Sequence, residues 1–145
     1  MKRDLCRPFA VVFGGIFLLT GLLGFAVTGF SGFADTAGKT LFVFGLNPLH
    51  NLAHIVIGAL WLASAIRAET ARTATQVIGA AYLLLGILGL FALGSLNLLA
   101  LNVADNVLHL LTGALAVVVG YLASRHQAAL EAGQFAPEQT ANTLA

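Results

Sequence analysis

Three stretches of this 145-residue chain carry no formal charge: Pro8 to Ala34, Thr40 to Ile66, and Thr73 to Ser124, the last broken only by Asp105. A helix that crosses a bilayer needs about 20 consecutive apolar residues, so the first two runs each suffice for one crossing and the third for two. The runs are continuous and do not alternate, which selects helices over a barrel, because a backbone in lipid must satisfy its own hydrogen bonds. With 59% apolar and 9% charged residues, an ordinary water-soluble domain is excluded. The expectation is an all-α integral membrane four-helix bundle, with helices at roughly 8–30, 48–66, 74–95 and 103–124. The remainder, 126–145, reads as a cytoplasmic tail, a short frayed helix passing into disorder around Pro137.

Basic residues set the orientation. Lys2, Arg3, Arg7, Arg67, Arg72 and Arg125 fall on one side of a four-crossing layout and only Lys39 on the other, so both termini are expected in the cytoplasm. The loops near 31–46 and 96–102 would then face outward. The opening MKRDLCR and the small residues around Gly32-Phe33-Ala34 imitate a signal peptide, but the intervening apolar run is too long for one. Cys6 is the only cysteine and has no disulfide partner in the chain. A net charge of +1 gives no reason to expect nucleic acid; the expected partner is the lipid bilayer.

Two segments repeat. GGIFLLTGLLG at 14–24 matches GAAYLLLGILG at 79–89, with Gly14, Leu18, Leu19, Gly21, Leu23 and Gly24 recurring as Gly79, Leu83, Leu84, Gly86, Leu88 and Gly89. NPLHNLAH at 47–54 matches NVADNVLH at 102–109, through Asn47/Asn102, Asn51/Asn106 and His54/His109, followed by Gly58/Gly113. The offset is 65 residues in the first match and 55 in the second, so the first copy carries a loop ten residues longer. The chain therefore reads as two tandem helical hairpins of the same topology, related by a pseudo-twofold axis along the membrane normal. Glycines seven apart, Gly14 and Gly21, Gly79 and Gly86, Gly113 and Gly120, suit close left-handed helix packing. Such faces serve internal packing or contact with a second copy or another membrane protein equally well.

The repeated polar residues are the candidate site. Asn47-Pro48 is a helix start, with Asn as cap and Pro in the first turn, and Asn102 is the equivalent cap. His50 and Asp105 then occupy the third helical position, and His54 and His109 lie one turn deeper, roughly 10 Å below the outer helix ends. At about 100° per residue, His50, Asn51, His54 and Gly58 share one arc of the second helix, as Asp105, Asn106, His109 and Gly113 do on the fourth. The polar groups lie beside the glycine where a neighbouring helix comes closest, so they should face the bundle. Bundle cores build metal sites from such facing pairs. His50, His54, Asp105 and His109 are the candidate ligands for zinc, iron, manganese or copper, with Asn51 and Asn106 orienting them.

Three other readings compete. The same side chains could form interhelical hydrogen bonds that lock the hairpins together, each worth only about 0.6–2 kcal/mol. Haem would need opposed axial ligands, His54 and His109, and a cavity that the small residues argue against. A small transporter is disfavoured because no helix is broken at mid-membrane. No nucleophile triad, phosphate loop or CxxC points to an enzyme. Trp61 reads as a packing residue, and Tyr82 and Tyr121 as interfacial or core aromatics.

With NPLHN-x-x-H and N-x-ADN-x-LH in view, residues 8–124 resemble the bacterial membrane proteins grouped as domain of unknown function 4383. The resemblance rests on Asn47, Pro48, Leu49, His50, Asn51, His54, Ala104, Asp105, Asn106, Leu108, His109 and Gly113. It implies a four-helix protein of the bacterial cytoplasmic membrane and brings no established activity, substrate or cofactor.

Overall fold

A computed structural model describes residues 4–91 and 96–142, with side-chain surroundings through Gly133. Lys2 and Arg3, which enter the orientation argument, and 92–95, at the expected end of the third helix, lie outside the described residues, as do the last three of the tail. The elements in chain order are α1 (Cys6–Thr28), β1 (Lys39–Leu41), β2 (Phe44–Leu46), α2 (Pro48–Ser64), α3 (Ala68–Gly89) and α4 (Val103–Asn142). α1, α3 and α4 are long and apolar enough to cross a membrane. α2 has 17 residues and so spans about 25 Å, at the short end of what a hydrocarbon core of about 30 Å requires.

Two helix boundaries depart from the sequence expectation for local reasons. α3 begins at Ala68 and not near 74, since its first turns are Ala, Glu, Thr and Arg, with Glu69 at the positive end of the helix dipole. Counting apolar residues alone overlooks such a polar helical start. α4 runs past the expected end at 124, because Ala, Gln and Glu favour helix even where they no longer favour lipid.

The helices pack as two antiparallel pairs, α1 with α2 and α3 with α4, joined by a short turn at 65–67. Arg7 Nε donates to the Ala65 carbonyl oxygen at 2.8 Å, fixing the start of α1 to that turn. Within each pair the backbones approach at glycines. A Cβ on Gly58 would sit 2.5 Å from the Leu18 nitrogen and 2.7 Å from the Gly14 oxygen; on Gly113 it would sit 2.6 Å from the Leu83 nitrogen and 2.8 Å from the Gly79 oxygen. Gly21 and Gly86 meet the carbonyl oxygens of Asn51 and Asn106 in the same way. The two pairs thus use matching contacts.

Between the pairs lies an aromatic cluster. Phe17 packs edge-on against Trp61 and Tyr82, at ring distances of 5.4 and 5.2 Å, and Trp61 stacks on Tyr82 at 6.2 Å. Trp61 is buried, as the sequence reading expects; of the two tyrosines Tyr82 is buried, whereas Tyr121 is exposed and accepts a hydrogen bond from Arg125. Around this centre the outer helix faces remain apolar: Val11, Val12, Leu19, Leu22 and Leu23 on α1 alone are all exposed. A continuous apolar belt of this kind needs lipid as its solvent.

Gly58→Ala should therefore cost about 1–3 kcal/mol through backbone overlap. Gly15→Ala, where a Cβ meets nothing within 4 Å, should leave stability nearly unchanged. Thermal unfolding of both variants in detergent tests the contrast.

Candidate metal centre

The end of the bundle at which α2 and α4 begin is closed by loops that the cap asparagines hold down. Asn47 Oδ1 accepts from the His50 amide at 2.8 Å, and its Nδ2 donates to the carbonyls of Asp35 and Leu98, at 3.0 and 2.8 Å. One side chain thereby caps α2 and ties both outer loops together. Asn102 does the same for α4: Oδ1 accepts from the amides of Ala104 and Asp105, and Nδ2 donates to the Val43 carbonyl at 2.8 Å. Val43 lies in the turn of the β1–β2 hairpin, whose register pairs Lys39 with Leu46 and Leu41 with Phe44.

That hairpin positions His50 and Asp105 together. His50 Nδ1 lies 3.0 Å from the Gly45 carbonyl oxygen. A carbonyl can only accept, so Nδ1 carries the proton and Nε2 is left as the lone-pair nitrogen. The Gly45 amide in turn donates to Asp105 Oδ2 at 2.9 Å, and the same oxygen accepts from the Asn102 amide at 2.8 Å. A Cβ on Gly45 would run into the Ala100 carbonyl oxygen, so only glycine lets β2 lie this close.

The three imidazoles converge. His50, His54 and His109 are buried, and one ring nitrogen from each lies within 4.8 Å of those of the other two. His50 and His54 have ring centres 4.4 Å apart, and His50 and His109 5.9 Å apart. Phe17 and Tyr82 form the floor, edge-on to His54 at 5.2 Å and to His109 at 5.1 Å. His50 Nε2, His54 Nδ1 and His109 Nδ1 are buried nitrogens without a hydrogen-bond partner.

Asp105 stands outside this group, its Oδ2 held by the two amides. Asn51 and Asn106 also point elsewhere. Asn51 Nδ2 donates to Thr28 Oγ1 at 2.8 Å, and the side-chain oxygens of Asn51 and Asn106 press against Gly24 and Gly89. No hydrogen bond joins either asparagine to an imidazole among the described residues. The reason is angular: Asn51 follows His50 by one residue and Asn106 precedes His109 by three, so each is rotated about the helix axis from its histidine, by about 100° and about 60°, toward the partner helix of its own pair.

The family model for the domain of unknown function DUF4383 matches residues 7–122. The chain belongs to the DUF4383 family. No curated protein and no solved structure matches it. Both polar motifs of this DUF4383 chain fall inside the matched region, so the constellation is part of the family domain. Sequence reasoning missed the β-hairpin and Gly45. Their trace was the ten-residue excess in the first loop, which holds Lys39–Leu41 and Phe44–Leu46.

Asp105→Ala removes the acceptor for two buried amides and should cost about 1–3 kcal/mol, while Asp105→Asn keeps one acceptor oxygen and should cost less. Protease sensitivity of residues 35–46 should rise in the same order.

Proposed function

We propose that this protein binds one transition-metal ion through His50, His54 and His109, in the outer-leaflet half of a four-crossing bundle whose termini are cytoplasmic and whose two helix pairs are related by a pseudo-twofold axis. The observation that carries the reading is the unpartnered nitrogen on each of three buried, clustered imidazoles. Buried polar atoms ordinarily have partners, and a group left without one needs a reason. An interhelical lock would consume those nitrogens in hydrogen bonds. An ion would take one nitrogen from each ring.

The chemistry of the surroundings supports the same reading. Metal-bound histidines characteristically donate their other ring N–H to a carbonyl or carboxylate, the relation His50 has to Gly45. Tetrahedral zinc with Zn–N bonds of 2.0–2.1 Å sets its nitrogens about 3.4 Å apart, a small contraction of the cluster. Three imidazoles and no carboxylate favour zinc, copper or iron over manganese. Asp105 then acts by holding the Gly45 peptide against His50 and not as a ligand. The imidazoles pack edge to face with Phe17 and Tyr82, which weighs against haem. An ion held this way keeps an open coordination position and would supply Lewis-acid or, for copper and iron, redox chemistry.

Elemental analysis and an optical spectrum of protein gently extracted from its native membrane should find about one metal per chain, and none in the His54→Ala/His109→Ala variant. Zinc at about 100 times its dissociation constant should stabilise the unaltered protein by about 2.7 kcal/mol. Asp105→Ala should bind metal about 10–100 times more weakly without losing the site. Metal-free native protein that added zinc does not stabilise would make the cluster an interhelical packing feature.

A further inference from the structure

A cavity of about 200 Å³ runs along the seam between α1 and α4 and ends at His54. Its inner end is buried, with Phe17, His54 and Thr112 only 6%, 8% and 5% exposed. Its outer end is bordered by Ile16 and Leu108, 52% and 42% exposed on the face that the apolar belt presents to lipid. Phe13 and Thr20 complete the walls. From the aqueous side the histidines are covered, because Leu46, Asn47, Ala100 and Asp105 are all buried beneath the outer loops. The exposed mouth of the cavity lies on the apolar helix face.

We infer that this cavity binds a single-ring, oxygen-bearing molecule dissolved in the membrane, a phenol or quinone, and delivers it sideways to the histidine cluster. Size argues for one ring, since a dry apolar cavity of about 150 Å³ takes up benzene, while drug-sized ligands occupy at least about 300 Å³. The walls argue for an aromatic face, with Phe13 and Phe17 available for stacking or edge contact. The buried end argues for an oxygen. Thr112 and Thr20 line the cavity beside His54, and their hydroxyls can exchange a hydrogen bond with a ligand hydroxyl or carbonyl. Binding in the cavity stands on these features alone; contact between ligand and ion rests on the metal reading.

Trp61 is the sole tryptophan of the chain, and its ring lies 5.4 Å from that of Phe17 in the cavity wall, so its fluorescence reports occupancy. Metal-stripped protein in lipid nanodiscs is titrated with 4-bromophenol and with bromobenzene, each corrected for its partition into lipid. The expected result is saturable quenching by 4-bromophenol, at least tenfold tighter than bromobenzene, and weakened at least tenfold by Thr20→Phe, which fills the cavity from its half-exposed wall. The ligand pair needs no variant, so the comparison survives a poorly folding substitution. Quenching that rises linearly with membrane concentration, or equal affinity for both ligands or for 1-bromohexane, overturns the inference. Saturable quenching in a protein that retains no zinc upholds the cavity while removing the metal reading.

Discussion

Within each helix pair the backbones come into contact at glycines, which remove the side chain that would otherwise lie between them. Gly14 against Gly58 and Gly79 against Gly113 bring the members of each pair into backbone contact. In lipid, helices gain nothing from burying apolar surface against each other, so close packing and internal hydrogen bonds must hold the bundle. The glycines lie on the arcs that carry the histidines, and the contact that joins the helices also turns His54 and His109 inward. A side chain at Gly58 or Gly113 would push apart the helices that bring the rings together.

The outer end depends on one peptide group. The Gly45 carbonyl fixes the proton of His50 on Nδ1 and its amide neutralises part of the demand of Asp105 for donors. An aspartate at membrane depth is costly unless its oxygens are satisfied, and here two amides satisfy Oδ2. The asymmetry between the copies becomes intelligible on this basis. The first helix pair carries His50 and the β-hairpin; the second supplies Asp105 to hold that hairpin down.

Much of this was legible before the structure. The apolar runs and repeated glycines implied four helices, and the caps, reading N-P and N-x-x-D, located the outer helix ends. The histidines were legible as a group because i, i+4 spacing and repetition place them on facing arcs. Sequence spacing gives the depth and face of Asp105 but not the donors of its Oδ2, one of which, the Gly45 amide, lies 60 residues away. That Asn51 and Asn106 press on Gly24 and Gly89 of their own helix pairs was not legible either, because a small rotation about the helix axis separates facing the other pair from facing one's own.

Hydrophobic length, glycine periodicity and capping residues are local properties, so the sequence by itself determined that the chain is helical, belongs in lipid, and carries its polar residues near one end. Which nitrogens are left without partners, which carboxylate oxygen is spent on backbone amides, and where a cavity opens between α1 and α4 depend on groups far apart in the chain meeting within a few ångströms. Only the tertiary structure decided those, because hydrogen bonding and packing act over distances shorter than the uncertainty in any placement derived from helical periodicity alone.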